Sequence, residues 1–169
     1  MTITVETGSG TNAAANSYAS VATLQAYAEA RGYTLPDTDA GCELLLIKAM
    51  DYIESRRSRF QGVKTSSTQP LQWPREWVII DGYAINNDAI PTELVKAQCE
   101  LAVAAYTIDL QPTLQPSTVG QVKSKRIEGA VSIDYFESAA SKYSLPQFTA
   151  ANGLLDVVCK PKTSFMVRA

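Results

Sequence analysis

Acid–base and nucleophilic catalysis most often rest on histidine, and these 169 residues contain none. A thiol nucleophile needs a neighbouring base or cation to hold it as thiolate. The three cysteines, Cys42, Cys99 and Cys159, are odd in number and widely spaced, with no C-x-x-C pair and no imidazole to complete a metal site. They read as buried free thiols acting as small hydrophobes. Asp37 and Asp39 fall where a helix begins, so they read as caps rather than as an acid–base pair. Gly8-Ser9-Gly10-Thr11 lacks the lysine and following hydroxyl residue of a phosphate loop and reads as a flexible linker. No catalytic residue, metal site or cofactor is expected.

Binding chemistry is better represented. Arg56, Arg57 and Arg59 cluster at the end of a predicted helix, where they are candidates for DNA or subunit contact and also suit the negative end of the helix dipole. Lys123, Lys125 and Arg126 lie on a predicted strand, either facing DNA or an acidic neighbour or guarding a solvated edge. Trp73 and Trp77, with Tyr83, are expected to anchor a long irregular stretch. Phe165, Met166 and Val167 follow Pro161 and are too apolar for a solvated terminus. Together with Arg168 they read as a docking arm, residues 161–169, that needs a partner surface.

Charge is blocked along the chain. Residues 1–55 carry seven acidic and two basic side chains, whereas residues 56–75 carry five basic and no acidic ones. The net charge of −2 argues against a dedicated grip on phosphates, which calls for an excess of Lys and Arg. Blocks of opposite sign suit a head-to-tail interface between copies, one face meeting a different face of the next.

Hydrophobic residues make up 46% and charged residues 19% of the chain, values of a folded globular protein. The length predicts one domain, residues 1–160, with a separate C-terminal arm. No apolar run approaches the roughly 20 residues of a membrane span, and the start lacks a basic region before an apolar one, so an intracellular protein without a membrane partner is expected.

The periodicity predicts a mainly α fold of about four helices with a β-hairpin and extended terminal arms. Ser20 caps a helix over about 21–31 whose face carries Val21, Leu24, Tyr27 and Ala28, and Gly32 stops it. A second helix bears Leu46, Ala49, Met50 and Ile53 and runs to about Arg57. Phe60 to Asn87 shows no sustained period and reads as a long loop, a feature often functional. Ile90-Pro91 opens a third helix with Leu94, Leu101, Ala105 and Ile108 on one stripe, ended by Pro112. Its alanines Ala97, Ala102, Ala104 and Ala105 allow close packing on the second helix. From about 119 to 137 the period becomes two, predicting a hairpin that turns at Glu128-Gly129-Ala130. A final helix near Phe148 to Val158 carries Leu154, Leu155 and Val158.

Four short motifs in fixed order accompany these elements: Asn16-Ser17-Tyr18, Phe60-x-Gly62, Gln69-x-Leu71-x-Trp73-Pro74-Arg75, and Ile90-Pro91. In their order and spacing, over roughly residues 1–160, they resemble a family of tailed-bacteriophage head–tail connector proteins, some of them labelled DnaT-like and likened to a primosomal single-stranded-DNA-binding protein. The resemblance implies a helical core with a projecting hairpin, assembled as a dodecameric ring beneath the portal at the head–tail junction of the virion. Its implied partners are further copies of itself, the portal protein, tail or further connector proteins, and double-stranded DNA passing without sequence-specific binding. Assembly would take place in the bacterial host cytoplasm. It supplies no catalytic residue. The alternative is a single-stranded-DNA-binding replication protein using Arg56, Arg57, Arg59, Trp73, Arg75 and Trp77 as cations and stacking platforms.

Overall fold

The computed structural model describes residues 2–112, 124–127, 131–134 and 147–160, of which 124–127 and 131–134 are described by their backbone. The chain divides into two compact units, one made of Met1–Leu110 with Phe148–Ala169, the other of Gln111–Gln147.

The first unit is mainly α. Helix α1 is Val21–Glu29, α2 Asp39–Ser55, α3 Thr92–Ala105 and α4 Thr149–Val158. Ser20 caps α1 as expected, its side chain accepting from the Thr23 amide. Helix α2 is capped by Thr38 rather than by Asp37 or Asp39: the Thr38 hydroxyl accepts from the Gly41 amide. Asp39 instead occupies the first turn, where a negative charge favours the helix dipole, and accepts from Gln25 at 3.0 Å.

Helix α3 is central and packs against α1, α2 and α4. Ala97 and Ala102 are fully buried, which lets these helices approach closely. It ends at Ala105, well short of Pro112: after Tyr106 the chain turns so that Leu110 rejoins the core while Ile108, expected on the buried stripe, is exposed. In α4, Ala151, Leu155 and Val158 are buried and Leu154 is half-buried.

A buried amide ties these elements together. Gln98 on α3 has no exposed surface, and its Oε1 accepts from the backbone amides of Tyr18 and Ala19, each at 2.9 Å. Its Nε2 donates to Ser17 Oγ at 2.8 Å and to the Leu46 carbonyl on α2 at 3.1 Å. All four hydrogen-bonding positions of the side chain are thereby filled.

The N-terminal segment is not a free arm. Val5 pairs with Ser17, and Glu6 is buried, its Oε1 accepting from Gly8 N at 2.8 Å and Gly10 N at 3.1 Å. Gly8, read as part of a flexible linker, has a φ of +111°, and a Cβ there would meet the Asp88 carbonyl oxygen at 1.8 Å. The run Gly8–Thr11 is therefore a fitted turn on the body of the protein.

The second unit contains strands β5, Ser124–Ile127, and β6, Val131–Asp134, paired antiparallel with Lys125 opposite Ile133 and Ile127 opposite Val131. This is the expected hairpin. Its turn at Glu128-Gly129-Ala130, Lys123 and the arm 161–169 lie outside the described residues.

Replacing Gln98 with leucine keeps its volume but strands buried donors and acceptors, each costing about 1–3 kcal/mol. Urea unfolding of Gln98→Leu should show a loss of about 3 kcal/mol. A loss below about 1 kcal/mol would mean the amide does not organise the core.

Candidate interaction face on the 60–87 segment

Phe60 to Ala84 is more ordered than its sequence promised. Val63–Lys64 (β1) pairs antiparallel with Arg75–Glu76 (β2), and Ile79–Ile80 (β3) with Tyr83–Ala84 (β4). Asp81 and Gly82 form the two-residue turn of the second ladder, with φ of +52° and +86°. Asp-Gly between apolar pairs is the sequence signal for such a hairpin, and it was available in Ile79-Ile80-Asp81-Gly82-Tyr83.

The motif residues of this segment build it. Gln69 donates to the Leu71 and Pro74 carbonyls, both at 3.0 Å, and accepts from Thr65 Oγ1 at 2.7 Å and Ser66 N at 3.0 Å. The peptide Trp73-Pro74 is cis. Trp73 is fully buried, edge-on to Phe60 at 6.1 Å between ring centroids. Its amide donates to Tyr18 Oη at 3.1 Å, and the Tyr18 hydroxyl lies 3.4 Å from Glu54. Burial first, and then the Glu54 carboxylate, raise the Tyr18 pKa well above its ordinary value, so the phenol stays a donor. Arg75 is buried and donates to the carbonyls of Gln61 at 2.6 Å and Gly62 at 2.8 Å. Gly62 has a φ of +61°, and a Cβ there would meet the Glu76 carbonyl oxygen at 1.9 Å. Asn16-Ser17-Tyr18, Phe60-x-Gly62 and the Gln69–Arg75 motif are thus parts of one scaffold.

The arginine cluster is dispersed. The Arg56 guanidinium lies 4.6 Å above the Tyr52 ring and also donates to a Tyr52 hydroxyl. Arg59 pairs with Asp156 on α4 at 2.7 Å. Arg57 is exposed. Of the aromatic and basic residues weighed as a nucleic-acid surface, Trp73 and Arg75 are buried in the scaffold, Arg56 and Arg59 are engaged within the chain, and only Arg57 and Trp77 face outward. Lys125 and Arg126 are on β5; Lys123, Phe165, Met166, Val167 and Arg168 lie outside the described residues.

Trp77, expected to anchor the loop with Trp73, does the opposite. It is 78% exposed and holds a φ of +59°, a conformation costly for a bulky side chain. Tyr83, the third expected anchor, is 77% exposed. The anchors are instead Phe60, Leu71, Trp73, Val78 and Ile80. Burial alternates along 77–80, with Val78 and Ile80 directed inward and Trp77 and Ile79 outward. The outward pair lines an open groove of about 570 Å³ with Glu76, Ala84, Ile85, Asn86 and Asn87. Residues 76–95 contain Glu76, Asp81, Asp88 and Glu93 and no lysine or arginine. The groove lining is mainly apolar, with Glu76 its one acidic side chain.

All three cysteines are buried thiols outside any disulfide, and burial pushes the Cys99 thiol up to about 12 and raises that of Cys42. Among the described residues no group of three metal-ligating side chains converges, and no helix is long and apolar enough to cross a membrane.

Two measurements follow from this division between scaffold and surface. Trp73→Ala should cost about 3–5 kcal/mol in chemical denaturation, whereas Trp77→Ala should change stability by less than about 0.5 kcal/mol. Equal losses would show that Trp77 is an anchor after all. In mildly alkaline solution the native protein should not react with a disulfide thiol reagent, and all three cysteines should react once it is unfolded; rapid labelling of the native chain would contradict their burial.

No curated protein and no solved structure matches the chain. A family model does, over residues 1–169, under the description "Putative DnaT-like ssDNA binding protein". The match covers the whole chain, which therefore belongs to this DnaT-like family.

Proposed function

We propose that this protein is a structural, non-enzymatic subunit of a tailed-bacteriophage head–tail connector. Copies form a ring, dodecameric by the resemblance set out above, below the portal and join head to tail around a channel for double-stranded DNA. Its place is the head–tail junction of the virion, after assembly in the bacterial cytoplasm. The observation that carries this reading is the character of the exposed face: Trp77 and Ile79 stand outward in a stretch, 76–95, that has four acidic side chains and no basic one. Such a face repels phosphates and suits burial against protein. The cations that would serve a nucleic-acid grip are largely engaged elsewhere: Arg75 inside the scaffold, Arg59 on Asp156 and Arg56 over Tyr52.

Ring closure requires two different faces that complement each other. The acidic stretch 76–95 and the basic residues Lys123, Lys125 and Arg126 supply opposite signs, and a mild net negative charge keeps the channel from holding DNA as it slides.

A second reading, single-stranded-DNA binding, draws on the family description and on Trp77 and Tyr83, two exposed rings on which bases would stack. The two readings separate in one set of experiments. Light scattering with and without the portal should give a ring-sized mass, the Lys123→Glu, Lys125→Glu, Arg126→Glu triple variant should assemble less well, and fluorescence anisotropy should detect no salt-sensitive binding of an oligo(dT) strand. Monomers that bind oligo(dT) tightly, with affinity falling steeply as salt rises, would overturn the connector reading in favour of the second.

A further inference from the structure

The hairpin that displays Trp77 has one closed edge and one open edge. Ile79 faces Ala84, Ile80 faces Tyr83, and the Ile85 amide donates to the Val78 carbonyl at 2.9 Å. Ile80 and Tyr83 are therefore a hydrogen-bonded pair and Ile79 and Ala84 a non-hydrogen-bonded one, whose amides and carbonyls point away from the ladder. On the β3 side, Gln61 Oε1 accepts from the Ile79 amide at 3.3 Å. On the β4 side, the Ala84 amide and carbonyl have no partner among the described residues, and Ala84 is exposed.

An outward apolar face adjoins this open edge. Ile79 and Ala84 share one face of the ladder, and both line the groove with Trp77 and Asn86. Ala84 ends at its Cβ, so side chains of a strand laid along β4 can lean across it toward Ile79.

Size and charge select the occupant. A tryptophan side chain offers about 150–250 Å² of surface, so Trp77 and Ile79 together fall well short of the roughly 800 Å² that each partner contributes to a stable interface of standard size. The groove alone does not hold a second folded copy, but it suits one extended segment of about five residues, roughly 17 Å long. Glu76 on the lining, with no lysine or arginine over 76–95, selects against an acidic segment.

We propose that β4 is a strand-addition site: an extended apolar segment of a partner protein, free of acidic side chains, pairs with the outer edge at Ala84 and lays alternate side chains over Ile79 and Trp77. This mode of docking rests on the reading of the face as a protein contact, but main-chain pairing can fail while the contact stands.

The test titrates the full chain with a pooled synthetic library, acetyl-Lys-x-Thr-x-Lys-x-Thr-amide, in which x is Val, Ile, Leu or Phe. Binding at about 0.1 mM or tighter is expected, with Trp77 emission shifted to the blue and the Ala84 amide exchanging about tenfold more slowly. Trp73, buried in the core, adds a constant background. Ala84→Pro removes the edge amide without removing a ladder hydrogen bond and should weaken binding about tenfold. The same library N-methylated at x, which leaves the protein unaltered, should also bind about tenfold more weakly. No binding by the library would overturn strand addition. Equal binding by the N-methylated library would overturn it too, while leaving the protein contact in place. Changed Trp77 emission with oligo(dT) but not with the library would overturn both.

Discussion

A buried amide is tolerated in a helical core only when each of its donors and acceptors is met, and Gln98 meets that condition by drawing three parts of the chain to one point. Its four hydrogen bonds fix residues 17–19 and α2 against α3. Fixing Tyr18 in turn places its hydroxyl beneath Trp73 N and beside Glu54, which also accepts from the Gln72 amide at 3.0 Å. The course of the 60–76 segment thus depends on a polar relay that starts on α3. Removing its first member takes from the buried Tyr18 amide the acceptor that holds it.

This dependence explains which parts of the fold were readable in the sequence. Helices α1 and α2 announce themselves through apolar positions at helical spacing, α1 also through its cap Ser20, whereas the cap of α2 is Thr38 and not the Asp37 or Asp39 that the sequence suggested. The end of α3 was misplaced because Ile108 continues the apolar stripe of Leu101 and Ala105, while the return of Leu110 to the core is a tertiary demand. The same holds for the N-terminal turn, where Gly8 is required by the carbonyl of Asp88, eighty residues away.

The site was harder to read than the fold. Arginine next to tryptophan is the composition both of a nucleic-acid surface and of a scaffold in which guanidinium groups satisfy buried carbonyls, as Arg75 does for Gln61 and Gly62. Sequence does not tell the two apart, because the difference lies in which face of a two-residue strand turns inward. Trp73 and Trp77 are four residues apart and have opposite fates. Trp77, Val78, Ile79 and Ile80 are all apolar, so no alternation in the sequence marked the outward pair, and only the Asp81-Gly82 turn signalled the hairpin that displays it. With the scaffold accounted for, the exposed apolar face stands out as the feature that the stability of the fold does not require.

The central claim is that this face meets protein and not nucleic acid. Photocrosslinking from a benzoylphenylalanine placed at position 77, carried out with portal, copies of the chain and oligo(dT) all present, tests it most directly. The account predicts adducts to polypeptide, identified by mass spectrometry as this chain or the portal, and no adduct to nucleotide. Crosslinks from position 77 to oligo(dT) in place of polypeptide would contradict it.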